Sequence, residues 1–450
     1  MVVVGLLCSS AAALALTAPG LVPGLGTPRP PAVPALPVPT PVLGPLAADA
    51  PTPSGSGLAA RLDGPADAVP GRFGGVVVDP ATGQTLWERD PESQLVPGST
   101  GKLLTAAAAL LTLNPTDTLA TRVVLGPDPG TVVLIGGGDP TLTALPPGEA
   151  TVYPDPSRLT ELADQVEKAM TAPVRRVLVD TSLYSGPTLA EGWLPADIPA
   201  GYVAPIEPLM LDGGRIDPAL QDGPRITDPA LAAGRALAGL LGADPDDVDT
   251  TTAAPGAQRL GSVTSASMSE LVEHTLRTSD NVLAEVLARQ VALSRKSGST
   301  FTDGGAAVLA ALGQAGFDPA GTVLVDGSGL STANRVTPRL LGSVLAAAAA
   351  PATGNGDVEF LRPVLTGLPV AGGFGTLDDR FTPGGPAAAG RGVVRAKTGT
   401  LTGVSSLAGV VTDSDGRLLV FALMSNGDSA SVVRPKLDAI AAALSACGCR

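Results

Sequence analysis

Three short elements of this chain hold residues that could do nucleophilic chemistry together. They are Ser99-Thr100-Gly101-Lys102, Ser279-Asp280-Asn281, and Lys397-Thr398-Gly399 followed by Thr400. A serine hydroxyl is a poor nucleophile unless a base stands beside it. Lysine can be that base when burial or a nearby cation lowers its pKa, whereas arginine effectively keeps its proton. Lysine is scarce here, occurring at 102, 168, 296, 397 and 436, with none in the first hundred residues. A chain that uses arginine for most of its positive charge yet keeps lysine at 102 and 397 invites a chemical explanation. For either lysine taken alone, chance placement is an equal alternative.

The stretch PGSTGK, residues 97–102, also has the look of a phosphate-binding loop. That loop needs a glycine five residues before the Gly-Lys pair and a hydroxyl after it. Val96 and Leu103 occupy those positions, so the nucleotide reading fails. The Ser-x-x-Lys reading remains. Leu103, Leu104, Ala106 to Leu111 and Leu113 are strong helix formers, and residues three apart share a helix face. The spacing predicts a helix with the Lys102 amine beside the Ser99 hydroxyl at its N-terminus.

The other two elements have their own predicted settings. The run SASMSELVEHTLRTSDNVLAEVLARQVAL reads as two helices with Ser279-Asp280-Asn281 at their junction. Ser267 and Glu270 form a capping box for the first. The run GVVRAKTGT ends a strand, and VSSLAGVVTD and RLLVFALMSN read as the next two antiparallel strands. Further helices are predicted near 303–315, 337–350 and 429–445. A hairpin occupies FGGVVVDPATGQTLWERDP, ahead of Ser99. Residues 116–264 hold strand-like runs such as TRVVLG, TVVLIGGG and VRRVLVD between turns, so a mainly-β inserted domain is expected there.

Composition removes several classes of function. The chain has 450 residues, of which 44% are hydrophobic, enough for a sizeable core and more than one domain. A net charge of -13 and 3% aromatic residues argue against nucleic acid as a partner. A single histidine, His274, rules out His-rich metal sites and leaves a Ser-His-Asp triad dependent on one residue. No acid stands at sensible spacing from it, so a surface or structural role is the better reading. Cys8, Cys447 and Cys449 cannot make a zinc site or a disulfide framework. No metal and no cofactor are expected.

Residues 1–18 begin with an apolar run, VVVGLLCSSAAALAL, that suits a signal peptide or a membrane anchor. Residues 19–69 are rich in proline and alanine and read as a disordered stalk. Both point to an exported, extracytoplasmic protein, either anchored to the membrane through its N-terminus or secreted to the cell wall.

Each element alone is weak. Their order, and their placement at a helix start, a helix junction and a strand end, is specific. The chain resembles the D-alanyl-D-alanine carboxypeptidases and endopeptidases of the low-molecular-mass class C penicillin-binding proteins. Supporting stretches are GGGDPTL (136–142), DGSGLS (326–331) and VRAKTGTLTGVSSLAG (394–409). The resemblance spans roughly residues 70–445. It implies an α/β fold: a transpeptidase/β-lactamase-like domain, with an antiparallel sheet and flanking helices, built from 70–115 and 265–450. The 176 residues between Lys102 and Ser279 leave room for one inserted domain, at 116–264.

The resemblance also implies roles. Ser99 attacks and forms an acyl-enzyme, Lys102 is its base, and Ser279 relays a proton to the leaving amine. Asn281 holds the substrate amide and orients Lys102. Lys397, Thr398, Gly399 and Thr400 bind the substrate strand and its terminal carboxylate, and the backbone amides of Ser99 and Thr400 hold the oxyanion. The implied partners are peptidoglycan stem peptides ending in D-Ala-D-Ala, and β-lactam antibiotics. A β-lactamase on the same fold, or a catalytically idle wall-binding scaffold, are the alternatives. The first would need an added deacylating base that the sequence does not reveal. The second would have no need of Lys102. Asp326-Gly327-Ser328-Gly329 is either a cleft rim or a plain turn, and Trp193, Tyr184 and Tyr202 are expected to pack the insert.

Overall fold

The computed structural model describes residues 49–351 and 359–450. The N-terminal apolar run and most of the proline-rich segment lie outside these residues. The first described helix, α1 (Gly55–Asp67), is N-capped by Ser54, whose hydroxyl accepts from the Gly57 amide. Its Leu58, Leu62 and Ala66 repeat every four residues and are buried. The expectation of a disordered stalk through residue 69 is therefore corrected at its C-terminal end. Proline thins out after Pro53, and the leucine spacing gives the segment an apolar face to bury.

A hairpin of β1 (Arg72–Val78) and β2 (Thr85–Arg89) leads to a 3-10 turn at Gly98–Gly101 and then α2 (Lys102–Thr112). The chain next builds a second sheet. Its elements are β3 (Ala120–Leu125), β4 (Thr131–Ile135), α3 (Leu159–Ala169), β5 (Arg176–Asp180), α4 (Pro229–Leu240), β6 (Val248–Thr251) and β7 (Arg259–Thr264). Five helices follow: α5 (Met268–Thr278), α6 (Asn281–Ser294), α7 (Phe301–Gln314), α8 (Pro338–Ala349) and the short α9 (Arg362–Thr366). The end of the chain is β8 (Arg395–Leu401), β9 (Val404–Thr412), β10 (Leu418–Asn426) and α10 (Ala430–Ser445).

The first sheet has the order β2-β1-β10-β9-β8 and is antiparallel throughout. Its central strands are apolar on both faces because both faces are covered. Val76, Val78, Val420 and Ala422 join a core with α2, α5, α6, α7 and α8. The alternate residues Val77, Phe421 and Leu423 join a second core with α1 and α10. The first two strands and the last three thus form one sheet, and β8 is left at its edge.

The second sheet has the order β6-β5-β4-β3-β7 and is mixed. The pairs β4–β5 and β5–β6 are parallel, and β3 pairs antiparallel with β4 and β7. Parallel neighbours need a crossover, and each crossover here carries a helix, α3 or α4. The inserted segment is therefore α/β, richer in helix than the mainly-β expectation. The chain leaves and re-enters the first body side by side: the Ser265 amide donates to the Leu119 carbonyl, and the Leu119 amide donates to Ser265 Oγ, both at 2.9 Å.

Candidate active site

Ser99 lies in the 3-10 turn, one turn ahead of Lys102, the first residue of α2. Lys102 has no exposed surface, and its amine reaches three oxygens. They are Ser99 Oγ at 2.8 Å, Asn281 Oδ1 at 2.6 Å and the Ser328 carbonyl at 2.7 Å. The orientation of Asn281 is fixed, because its Nδ2 donates to the Tyr202 carbonyl at 2.8 Å. Two of the three partners can therefore only accept. A neutral amine spends its two N–H groups on them and keeps its lone pair for the Ser99 hydroxyl. Burial pushes Lys102 down to about 8, opposed by the charges of Asp326, Glu285 and Asp280. Of the two causes that sequence reasoning allowed, burial and a nearby cation, burial is the one that lowers Lys102.

Ser279 caps α5 in the left-handed conformation, with φ of 63°. Asp280 caps α6, its carboxylate accepting from the Leu283 amide at 3.0 Å. Two helices meeting with no linker turn Ser279 toward Lys397 and Asn281 toward Lys102. A non-glycine residue at positive φ costs free energy, so the surroundings must hold it. That hold comes from the inserted segment. Arg215 Nη2 and Tyr153 Oη both donate to Asp280 Oδ2 at 3.0 Å. Asp280 stays ionised despite its burial, because Arg215 and Arg225 hold its carboxyl well below the usual range.

Lys397 lies on β8 and is as buried as Lys102. Its amine donates to Ser279 Oγ and to the Thr398 carbonyl, both at 2.9 Å. Burial, then the charge of Lys102, drives its pKa well down. The site thus holds two serine–lysine pairs, Ser99–Lys102 and Ser279–Lys397. The Lys397 amine sits behind the cleft wall. The cleft, about 600 Å³, is lined instead by Ser99, Ser279, Thr376, Thr398, Thr400 and Arg434, among others.

The backbone amides expected to hold an oxyanion depend on the edge position of β8. The Ala396 amide donates away from the sheet, to the Pro369 carbonyl at 3.0 Å. The two-residue period of a strand puts the Thr400 amide on that same free edge. Close approach of the 3-10 turn to this edge requires glycine on both sides. A Cβ on Gly98 would lie 3.0 Å from Thr400 N, and one on Gly399 would lie 3.0 Å from Ser99 N. The Ser99 and Thr400 amides are thereby brought together at the cleft.

Several parts of this arrangement were missed or left open by the sequence. The DGSG turn lies under Lys102, neither a rim nor a plain turn. Glu285 is buried and accepts from the amides of Gly327 and Ser328. Asp326 accepts from the amides of Gly329 and Ser331, and from Trp193 Nε1 at 2.8 Å. Trp193 therefore ties the insert to this turn, and Tyr202 touches the site through its carbonyl while its surface is exposed. Arg434, on α10, has no sequence signal at all. His274 is buried against Tyr153, with ring centroids 5.2 Å apart, in a structural place.

The sequence matches the D-Ala-D-Ala carboxypeptidase 3 (S13) family over residues 57–224 and 219–447. Carboxypeptidase Rv3627c of Mycobacterium tuberculosis is 46% identical over 429 residues, covering 94% of this chain and 89% of that protein. The D-alanyl-D-alanine carboxypeptidase of an Actinomadura species is 30% identical over 457 residues, covering 82% and 80%. In fold, the chain is similar to the crystal structure of penicillin binding protein 4 of Haemophilus influenzae. The TM-score is 0.68 at 22% identity, covering 85% of this chain and 97% of that one. Matched along nearly its whole described length, the chain belongs to the D-Ala-D-Ala carboxypeptidase 3 (S13) family.

Proposed function

We propose that Ser99 is the nucleophile of this serine-type D-Ala-D-Ala carboxypeptidase, and that Lys102 is its base. The observation that supports this most directly is the Lys102 amine, with two obligate acceptors and one hydroxyl around it. Ser99 gives its proton to Lys102 as its oxygen attacks the carbonyl of the penultimate D-alanine. The tetrahedral oxyanion meets the amides of Ser99 and Thr400, and such donors usually supply the largest single contribution to acyl transfer.

Collapse of the intermediate breaks the C–N bond. Ser279 relays to the departing amine the proton that Lys102 took from Ser99. Water then replaces the amine and the transfers run in reverse: its proton returns through Ser279 to Lys102, and Lys102 reprotonates Ser99 as the acyl bond breaks. Asn281 orients Lys102 and the substrate amide. Thr398, Gly399 and Thr400 receive the substrate backbone and its terminal carboxylate, with Lys397 behind them. The substrate is the peptidoglycan stem peptide ending in D-Ala-D-Ala. The same attack on a β-lactam ring leaves a slow acyl-enzyme.

The enzyme acts outside the cytoplasm, where its substrate lies. Among the described residues no helix is long and apolar enough to cross a membrane. Our reading assigns any membrane attachment to the apolar N-terminal run.

The test is intact-mass spectrometry of the protein after benzylpenicillin, with Ser99→Ala as control, followed by a D-alanine release assay. A stable adduct absent from the control, with D-alanine released by the parent protein, is expected. An adduct that persists in the control sinks the assignment of Ser99.

A further inference from the structure

The two buried lysines leave a gap in the charge balance of the cleft. A peptide ending in D-alanine brings a carboxylate to β8, yet the Lys397 amine is enclosed and already bonded to Ser279 and Thr398. A positive group that does line the cleft beside β8 is Arg434. Its Nε and Nη2 both donate to Thr400 Oγ1, at 3.1 and 2.8 Å. That edge of a guanidinium is one that matches a carboxylate through two parallel bonds. Here it converges on one neutral hydroxyl.

We propose that Arg434 selects for a free carboxylate on the leaving group, acting through Thr400 and through its own charge. This rests on the assignment of Ser99 as nucleophile and β8 as the substrate strand.

The hydroxyl chemistry carries the first half. A threonine oxygen has two lone pairs, and two N–H donors occupy both. The Thr400 proton must therefore point elsewhere, and the hydroxyl serves the cleft only as a donor. Thr398 Oγ1 stands nearby, paired with Thr376 Oγ1 at 2.8 Å. A carboxylate oxygen suits a fixed donor. A carboxamide turned the wrong way presents N–H against O–H and leaves buried polar groups unpaired, which is how polar sites reject near-isosteres.

The charge carries the second half. Among the described residues no carboxylate lies within ion-pair distance of Arg434. Asp438, four residues along the same helix, is engaged by Arg380 Nε at 3.1 Å. Asp379 lines the cleft without reaching Arg434. Three of the five guanidinium N–H donors are left for a ligand. The selection is for charge rather than size, since a cleft of about 600 Å³ exceeds what a single alanine fills.

The experiment compares a stem-peptide mimic ending in D-Ala-D-Ala with the same peptide ending in D-alaninamide. kcat and KM are measured for the parent protein, Arg434→Gln and Arg434→Lys, each shown to be folded by thermal unfolding. The parent is expected to prefer the carboxylate. Arg434→Gln is expected to cut that preference about tenfold to a hundredfold, the value of one charge-assisted contact. Much of the loss is expected in KM, and Arg434→Lys should recover part of it. An unchanged preference overturns the proposal. An equal fall on both peptides makes Arg434 merely structural and overturns it too. Benzylpenicillin acylation in the same preparations reads the nucleophile separately. A parent protein that forms no adduct overturns the Ser99 assignment, and this proposal with it.

Discussion

Arg215 Nη2 lies 3.0 Å from Asp280 Oδ2, and neither side chain has exposed surface. Arg215 lies in the inserted segment and Asp280 at the junction of α5 and α6, and their contact holds the turn that presents Ser279 and Asn281. Removing one partner of a buried pair strands the other, at a cost of about 3–5 kcal/mol. Arg215→Met should lower the stability measured by urea unfolding by that amount and slow acylation by benzylpenicillin. Because the folded pKa of Asp280 lies below its unfolded value, the stability this group contributes is present above about pH 4. It is lost as the pH falls toward the folded pKa, and Arg215→Met should flatten that acid limb.

The protonation of Lys102 sets a second expectation. Its amine must be neutral to take the Ser99 proton, and its pKa is lowered to about 8. The acylation rate should rise with pH through about 8 and then level. Lys102→Ala should lower it by at least about a hundredfold, as expected when a positioned base is lost. Lys102→Arg should not restore it, since a guanidinium keeps its proton. Stopped-flow acylation across pH 6 to about 10 would check both, and a profile without an inflection in Lys102's range would refute the base assignment.

Glu285 answers to a different observable. Burial, then the charge of Asp326, pushes its carboxyl up to about 8. Between the ordinary glutamate pKa and that value, the folded protein binds a proton that the unfolded chain has released. Stability contributed by this group is therefore full below about pH 4.3 and is lost as the pH rises through about 8. Glu285→Gln, neutral throughout, should remove this slope from a plot of unfolding free energy against pH. An unchanged slope would show that the carboxyl titrates normally.

Helix α1 bears on where the folded enzyme begins. Leu58 and Leu62 are completely buried in the core shared with α10, and Trp87 Nε1 donates to Asp63 at 2.9 Å. Each leucine contributes roughly 1.5–3 kcal/mol by its burial. A protein starting at residue 70 should unfold at lower temperature than one starting at residue 49, by calorimetry. Leu58→Ala alone should cost about 2–5 kcal/mol.

Much of the layout of the proposed site was legible in the chain. Ser99 and Lys102 three residues apart at a helix start, and Ser279 and Asn281 between two apolar-periodic runs, are local patterns governed by helical geometry. The three final strands were legible for the same reason, since alternation and turn residues are local. The α1 helix was hidden by its proline-rich surroundings, and the helices of the insert by the strand-like runs around them.

What only the tertiary structure decided concerns charges and long-range partners. Sequence spacing cannot say that Lys397 faces Ser279 while Arg434 faces Thr400, because the first depends on how the α5–α6 junction packs against β8 and the second on how α10 packs across the sheet. It cannot say that Asp280 answers to Arg215, 65 residues upstream. Nor can it say that Asp326 and Glu285 hold the turn beneath Lys102. The identities of the proposed reacting groups are written in local spacing. Their protonation and their direction follow from burial and from neighbours that only folding brings within a few ångströms.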